Sequence, residues 1–508
     1  MDTAQKRCNV LLLMTDQQRF DTLHCAGNET IATPNLDRLA AEGTIFRSAY
    51  TSCPSCIPAR AMLMTGMNQW KTGILGMGEG QGHMGTNFPF TLPGELARAG
   101  YYCKGVGKMH FFPQRSLNGF HHIELDESGR HQDPDFCCDY ETWYHEQCGQ
   151  DTPIGPGRNW NGWCGRPYDM HPHLHPTAWT GERSIRFLRD RDRSRPFFLK
   201  TSFARPHSPY DAIPEYFNRY LDNPPPEPWI GDWADKHADP TQIENPAAWH
   251  GLIPPGEIRL ARAGYYGNVS HIDAQIGRLL DELQRQGILD DTLILFTSDH
   301  GDMLGDHHMW RKTYAYEGSA HIPFLVRLPK DLRQNTPASH DAPVSLADVM
   351  PTILDTLGLP TPEMVDGLSV LPLAQGHTAP WRDFVHGEHC ANYFRDEEMQ
   401  YLSDGKIKYI WFTRTGQEQL FDLTADPGER HDLANNRDWQ TTLLKMRQRL
   451  ADELAPRNIT LQADGTLPLL ERAFVSPHYQ ERLDGMPEQD HDVFRFFREN
   501  RLKTAARK

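Results

Sequence analysis

Short, mostly apolar runs recur along this chain, separated by longer stretches whose apolar residues return every three to four positions. Val10–Met14 is such a run, and it gives way to polar residues at Asp16. Tyr101–Val106, Pro196–Phe203 and Thr292–Thr297 repeat the pattern. Mostly apolar runs of this length, without strict alternation, predict strands buried on both faces. The helical stretches fall between them. Leu36–Glu42 stops at Gly43, Leu92–Ala99 closes at Gly100, and Val269–Gln286 sets Ile272, Ile276, Leu279, Leu280 and Leu283 on one face. Buried strands alternating with amphipathic helices predict an α/β fold, a large mixed, mostly parallel sheet flanked by helices.

The pattern breaks in three places. Residues 121–180 are rich in His, Trp, Tyr, Gly and Pro and hold no period, so they read as an inserted lid or pocket wall. A second irregular stretch runs from Pro224 to Trp249. Past Leu373 the composition shifts: Tyr401–Phe412 reads as a hairpin, Leu420–Asp422 as a short strand and Thr441–Leu454 as a helix. The expected organisation is a main α/β domain over 1–375, containing the 121–180 insert, and a smaller α+β domain over 376–508. The charged, aromatic tail from Asp484 has no assigned role.

Charge and cysteine usage narrow the partners. Across 508 residues, 52 Lys and Arg face 67 Asp and Glu, a net charge of −15. That argues against nucleic acid, heparin-like chains and acidic membranes as partners of the whole surface, but permits a small anion in a locally positive pocket. The N-terminal apolar run is too short for a signal-peptide core, and no run reaches membrane-spanning length. Ten cysteines form no regular framework, so a reduced, cytoplasmic protein is expected. Cys137, Cys138, Cys148 and Cys164, with His145, His171, His173 and His175, match no usual spacing of zinc ligand pairs. Oligomeric state is not legible.

Ligands of open parallel sheets bind beyond the carboxyl ends of the strands, and four polar clusters occupy that position. Asp16-Gln17 follows the first strand, Lys108 and His110 the second, His207 the third and Asp299-His300 the fourth. Asp16, Gln17 and Asp299 offer hard oxygen donors suited to Ca²⁺ or Mg²⁺. His300 adds a nitrogen that keeps manganese or zinc open. Cys56 lies in a further loop. Pro58 suits a first helical turn, which sets Cys56 near a helix N-terminus that favours anions. Arg60, Lys108 and Lys312 can surround a tetrahedral oxyanion, and His110 and His207 can move protons near neutral pH.

With those residues in view, the chain resembles the type I sulfatases of the alkaline-phosphatase superfamily. The matching segments span nearly its whole length: LLLMTDQQR, TPNLDRLAAEGTIFRSAYT, CIPARAMLMTG, LARAGYYCKGVGKMH, RPHSPY, DDTLILFTSDHGDMLGDH and LFDLTADPGERHDLA. The resemblance implies that Cys56, two residues before Pro58 and four before Arg60, is oxidised to formylglycine by a maturation enzyme. It also implies that Asp16, Gln17, residue 56, Asp299 and His300 hold a divalent cation, calcium first, with magnesium or manganese as alternatives. Arg60 would steady the hydrated aldehyde, and Lys108 and Lys312 would bind sulfate oxygens. His207 would protonate the departing alcohol, and His110 would deprotonate the second hydroxyl. The substrate implied is a small sulfated sugar or an aryl or alkyl sulfate.

The departures are specific. Gln17 stands where many relatives carry a second aspartate, Ala59 where they carry serine, and His321 where they often carry arginine. Choline sulfatases and formylglycine-dependent phosphonate monoester hydrolases share much of the pattern, so both remain alternatives. The Lys108/His110 pair favours sulfate over phosphonate. Filled catalytic positions argue against a binding protein that has lost its chemistry. Trp143, Trp160, Trp163 and Trp179 mark the insert as a candidate surface for stacking on a sugar or enclosing a quaternary ammonium.

Overall fold

The computed structural model describes residues 8–77, 88–131, 136–150, 153–154, 159–472 and 475–479. Its larger sheet contains β1 (Asn9–Asp16), β2 (Thr44–Tyr50), β3 (Tyr102–Gly107), β4 (His122–Leu125), β5 (Phe197–Pro206), β6 (Thr292–Ser298), β7 (Phe324–Arg327) and β8 (Ser339–Ser345). The strand order is β4-β3-β5-β1-β6-β7-β2-β8. β7 runs antiparallel to both neighbours, and the remaining pairs are parallel. This is the mixed, mostly parallel α/β sheet that the apolar runs predict. β1, β5 and β6 at its centre are buried along almost their whole length, because helices cover both faces.

One covering helix is far longer than its pattern foretells. It spans Pro255–Arg285, of which only the second half shows helical periodicity. From Ala261 to Asp273 every side chain is buried, so no polar face exists to mark a period. Gly264 serves the packing there: a Cβ would lie 2.2 Å from the Tyr210 carbonyl oxygen. The 121–180 insert also carries regular structure, namely edge strand β4 and the helix Asp139–Cys148. Four residues of edge strand are too few to display a period. Parts of that insert, and the tail from Asp484, lie outside the described residues.

A second sheet is antiparallel, with order β12-β11-β10-β9. Its strands are β9 (Val385–His389), β10 (Met399–Ser403), β11 (Ile407–Phe412) and β12 (Glu418–Asp422). Strand alternation divides its side chains between two faces. Leu402, Tyr409, Trp411 and Leu420 pack on the helix Gln440–Leu454, through Leu443, Met446 and Leu450. Tyr401, Ile410 and Phe421 point the other way and pack on Tyr50, Tyr314 and Tyr316 of the larger unit. This sheet also holds the loop that follows β2. Tyr401 Oη donates to the Thr51 carbonyl at 2.6 Å, and Glu388 N to the Ser52 carbonyl at 2.8 Å. All ten cysteines are free thiols. Among the described residues, no helix is long and apolar enough to cross a membrane.

Candidate active site

Because β1, β3, β5 and β6 are parallel neighbours, their carboxyl ends fall side by side. β1 ends on Asp16, paired in register with Pro206 of β5, and Asp299 follows β6 directly. The turns that carry the polar residues bend sharply. Gln17, His110, Arg311 and Thr313 all adopt positive φ, at 71°, 62°, 69° and 87°. Such conformations cost of order 1–3 kcal/mol each and persist where surrounding contacts over-determine them. Gly107 does similar work before Lys108. Its φ is 92°, and a Cβ there would lie 2.0 Å from the Ser202 carbonyl oxygen.

Cys56 is the first residue of the helix Cys56–Thr65. Ser55 precedes it with extended backbone but caps no helical N–H, since its hydroxyl bonds His389 Nε2 at 2.8 Å. The positive helix end therefore stays open toward residue 56. Around the thiol, Asp16, Asp299 and His300 each offer one ligand atom. Together with Cys56 Sγ these atoms lie within 4.8 Å of one another, and all four residues are buried. It is the only such group of three or more among the described residues, so the cysteines and histidines of the insert form no zinc cluster there.

The donors suit a hard divalent cation. Asp16 turns Oδ2 to Arg60 Nη2 at 3.2 Å and to Lys108, while its buried Oδ1 meets only distant groups, with the Cys56 thiol and His300 Nε2 each at 3.8 Å. Asp299 Oδ2 accepts from Arg60 Nε at 2.8 Å, and its Oδ1 accepts from the backbone N–H groups of Gln17 and His300 at 3.0 Å. His300 Nδ1 is tied to the Gly301 carbonyl at 2.8 Å, leaving Nε2 toward Cys56 Sγ at 3.1 Å. Gln17 sits at the rim of this group. Its Oε1 accepts from Lys312 and its Nε2 donates to Asp302 Oδ2 at 2.5 Å.

Electrostatics at the site follow from burying many charges together. Burial and the Asp16 carboxylate push the Cys56 thiol up, but Lys108, Lys312 and His300 outweigh them and lower it to about 7. Asp16 resists its own desolvation because the positive charges of Lys108, Arg60 and His300 hold it well below the usual carboxylate range. Lys312 Nζ donates to Gln17 Oε1 and faces His207 Nε2, both at 2.7 Å. Both partners are neutral acceptors, so its charge remains available for an anion. Burial, then Lys312 and Lys108, drive His207 well below 6.5.

Three supports escape sequence reasoning. Glu127 and Arg130 follow β4 and reach back to the turn of Lys108 and His110. Glu127 Oε1 accepts from the backbone N–H groups of Met109 and His110 at 3.0 and 2.9 Å, and Arg130 contacts both Glu127 and His110 Nε2. Burial, then Arg130, holds His110 well below 6.5. Arg205 and Asp211 brace the His207 loop through bonds of 2.8 and 3.0 Å. Asp302 accepts from Gln17 and, through Oδ2, from Tyr210 Oη at 2.5 Å. The HGD spacing after β6 is a signal for Asp302, whereas nothing in DESGR announces Arg130. At the departure from relatives, His321 stacks between Phe20 and Tyr50 at 4.1 and 4.8 Å and bonds Glu317 Oε2 at 2.6 Å.

Buried carboxylates, an imidazole and a thiol at one parallel sheet edge, beside three buried cations, make a site suited to a divalent cation and a tetrahedral oxyanion. The Sulfatase family model matches residues 8–359, and the model for the N-sulphoglucosamine sulphohydrolase C-terminal region matches residues 305–455. The chain belongs to the sulfatase family, within the alkaline-phosphatase superfamily, and hydrolyses sulfate esters. An arylsulfatase of Clostridium perfringens (strain 13 / Type A) is 41% identical over 461 residues, covering 88% of this chain and 95% of that protein. A choline-sulfatase of Rhizobium meliloti (strain 1021) is 32% identical over 450 residues, covering 84% and 82%. The crystal structure of a phosphonate monoester hydrolase of Agrobacterium radiobacter superposes with a TM-score of 0.72 at 25% identity, covering 92% of this chain and all of that one.

Proposed function

We propose that Cys56, oxidised to formylglycine, is the nucleophile of this sulfatase, and that Asp16, Gln17, Asp299 and His300 hold a divalent cation beside it. Calcium suits the hard oxygen donors best, with magnesium or manganese as alternatives. The observation that carries the reading is the meeting of Cys56 with Asp16, Asp299 and His300 in one buried group, beneath Arg60, Lys108 and Lys312. When bound, the cation would offset charge on the ester oxygens and acidify a hydroxyl of residue 56.

The chain's own groups then divide the work. The hydrated aldehyde at position 56 carries two hydroxyls on one carbon, steadied by Arg60. Lys108 and Lys312 hold the ester's free oxygens. One hydroxyl oxygen gives up its proton to solvent and bonds to sulfur as the bond from sulfur to the alcohol breaks, and His207, neutral at rest, takes a proton from Lys312 and passes it to the departing oxygen. The second hydroxyl gives its proton to His110. The C=O bond re-forms, the C–O bond to sulfate breaks, and water later re-adds to the aldehyde. At rest Arg130 occupies His110 Nε2, so accepting a proton there requires the guanidinium to yield.

The substrate in this reading is a sulfate monoester of a small sugar or of an aryl or alkyl alcohol, and the protein partner is a formylglycine-generating enzyme. Ten free thiols accord with a cytoplasmic setting, and the net charge of −15 argues against nucleic acid or anionic membranes. A second reading, phosphonate or phosphate ester hydrolysis, draws on the superposition with the phosphonate monoester hydrolase. Matched aryl sulfate, phosphate and phosphonate esters separate the two. The sulfate ester is expected to show the highest kcat/KM, and a dominant phosphonate rate overturns the assignment.

A further inference from the structure

The sequence offers four tryptophans around the insert, and the structure leaves one of them open beside the chemistry. Trp163 and Trp179 are 5% and 2% exposed, and Trp143 packs against the main core. Trp160 is 37% exposed. Its indole lies nearly parallel to the His207 imidazole, at 11°, with ring centroids 6.2 Å apart. The segment is pinned in place. Ser208 Oγ donates to the Trp160 carbonyl at 3.2 Å, Trp163 N to the Pro246 carbonyl at 3.0 Å, and Trp163 Nε1 to the Asn245 carbonyl at 2.8 Å. A fixed, open indole alongside the imidazole makes a flat step on the side from which the alcohol departs.

We infer that Trp160 is the platform on which the ring of the departing alcohol stacks, so that this chain selects sulfate esters of ring alcohols, phenols or pyranoses. The inference rests on the assignment of His207 to the departing alcohol. An aromatic face accepts either ring type through its apolar surface, and it also attracts cations. The surrounding charge decides between these. Lys108 and Arg60 are offset by Asp16 and Asp299, but Lys312 Nζ lies 2.7 Å from His207 Nε2 and 2.7 Å from Gln17 Oε1, on neutral partners. A quaternary ammonium carried on a short alcohol would meet the Lys312 ammonium beside the departing oxygen, whereas a neutral ring brings no charge against it.

The test compares wild-type, Trp160→Ala and Trp160→Phe proteins, matured and metal-loaded, on 4-nitrophenyl sulfate, glucose 6-sulfate and choline sulfate. Trp160→Ala is expected to lower kcat/KM for the two ring esters relative to choline sulfate by about 3- to 10-fold, mainly through KM, with Trp160→Phe retaining most of the preference. Calorimetric titration of the unmatured thiol protein gives a second readout. There 4-nitrophenyl sulfate should bind more tightly than inorganic sulfate, and Trp160→Ala should remove most of the difference. An unchanged ring-to-choline ratio, or a greater loss for choline sulfate, overturns the platform. If matured wild-type protein turns over no sulfate ester while the ring advantage in binding persists, the assigned chemistry fails and the platform stands.

Discussion

At the scale of single residues, the site gathers charges that burial alone would neutralise. Cys56 shows this most directly. In metal-free, unmatured protein its thiol is lowered to about 7, because Lys108, Lys312 and His300 outweigh burial and Asp16. Alkylation of Cys56 by a small reagent, followed by peptide mass spectrometry, should therefore rise through a midpoint near pH 7. A midpoint at or above the ordinary thiol value contradicts the arrangement. His110 carries a second expectation. Burial and Arg130 hold it well below 6.5, which keeps it neutral and able to accept a proton in mildly acidic solution. Arg130→Gln lets it rise toward 6.5, so the acid limb of the kcat profile should move to higher pH, while Arg130→Lys keeps the limb low. An acid limb unmoved by Arg130→Gln sinks that account. Asp16, His207, Asp299 and His300 were legible in the sequence because each follows an apolar run at one sheet edge. Arg130 was not, because it reaches His110 from a loop twenty residues away whose composition resembles any polar turn.

At the scale of elements, what matters is how strands and loops hold those residues still. The His207 loop is closed by the buried Arg205–Asp211 pair, with His175 Nε2 a further 3.6 Å from Asp211. Removing one partner of a buried pair strands the other's charge and costs about 3–5 kcal/mol. Asp211→Ala is thus expected to lower the thermal midpoint by several degrees and to cut kcat, and an unchanged midpoint refutes the bracing role. The sign with pH follows from Asp211, which Arg205 and His175 hold below the usual carboxylate value despite burial. Its contribution is present above the unfolded carboxylate pKa and is lost as the pH falls through the folded one. The apolar runs revealed β1, β3, β5 and β6 in the sequence, since strands covered on both faces are continuous in hydrophobicity. The first half of the helix Pro255–Arg285 stayed hidden for the complementary reason: a helix buried all round has no polar stripe.

At the scale of the whole molecule, the smaller sheet is part of the site's support rather than an appendage. Tyr401 and Glu388 hold the Thr51–Ser52 backbone, and His389 holds Ser55, immediately before Cys56. Its composition announced a second unit in the sequence, but no local pattern records a contact between residues more than three hundred positions apart. Truncation after Gln375 should therefore yield a protease-sensitive chain without sulfatase activity, and a stable, active 1–375 fragment would show that the sheet is dispensable. The role of residue 56 is tested by varying the fraction of Cys56 converted to aldehyde, through expression with graded amounts of a formylglycine-generating enzyme. That fraction is read by peptide mass spectrometry and compared with aryl sulfate turnover in the same preparations. Turnover should rise in proportion to aldehyde and vanish with it; full turnover from protein holding only the Cys56 thiol would contradict the account.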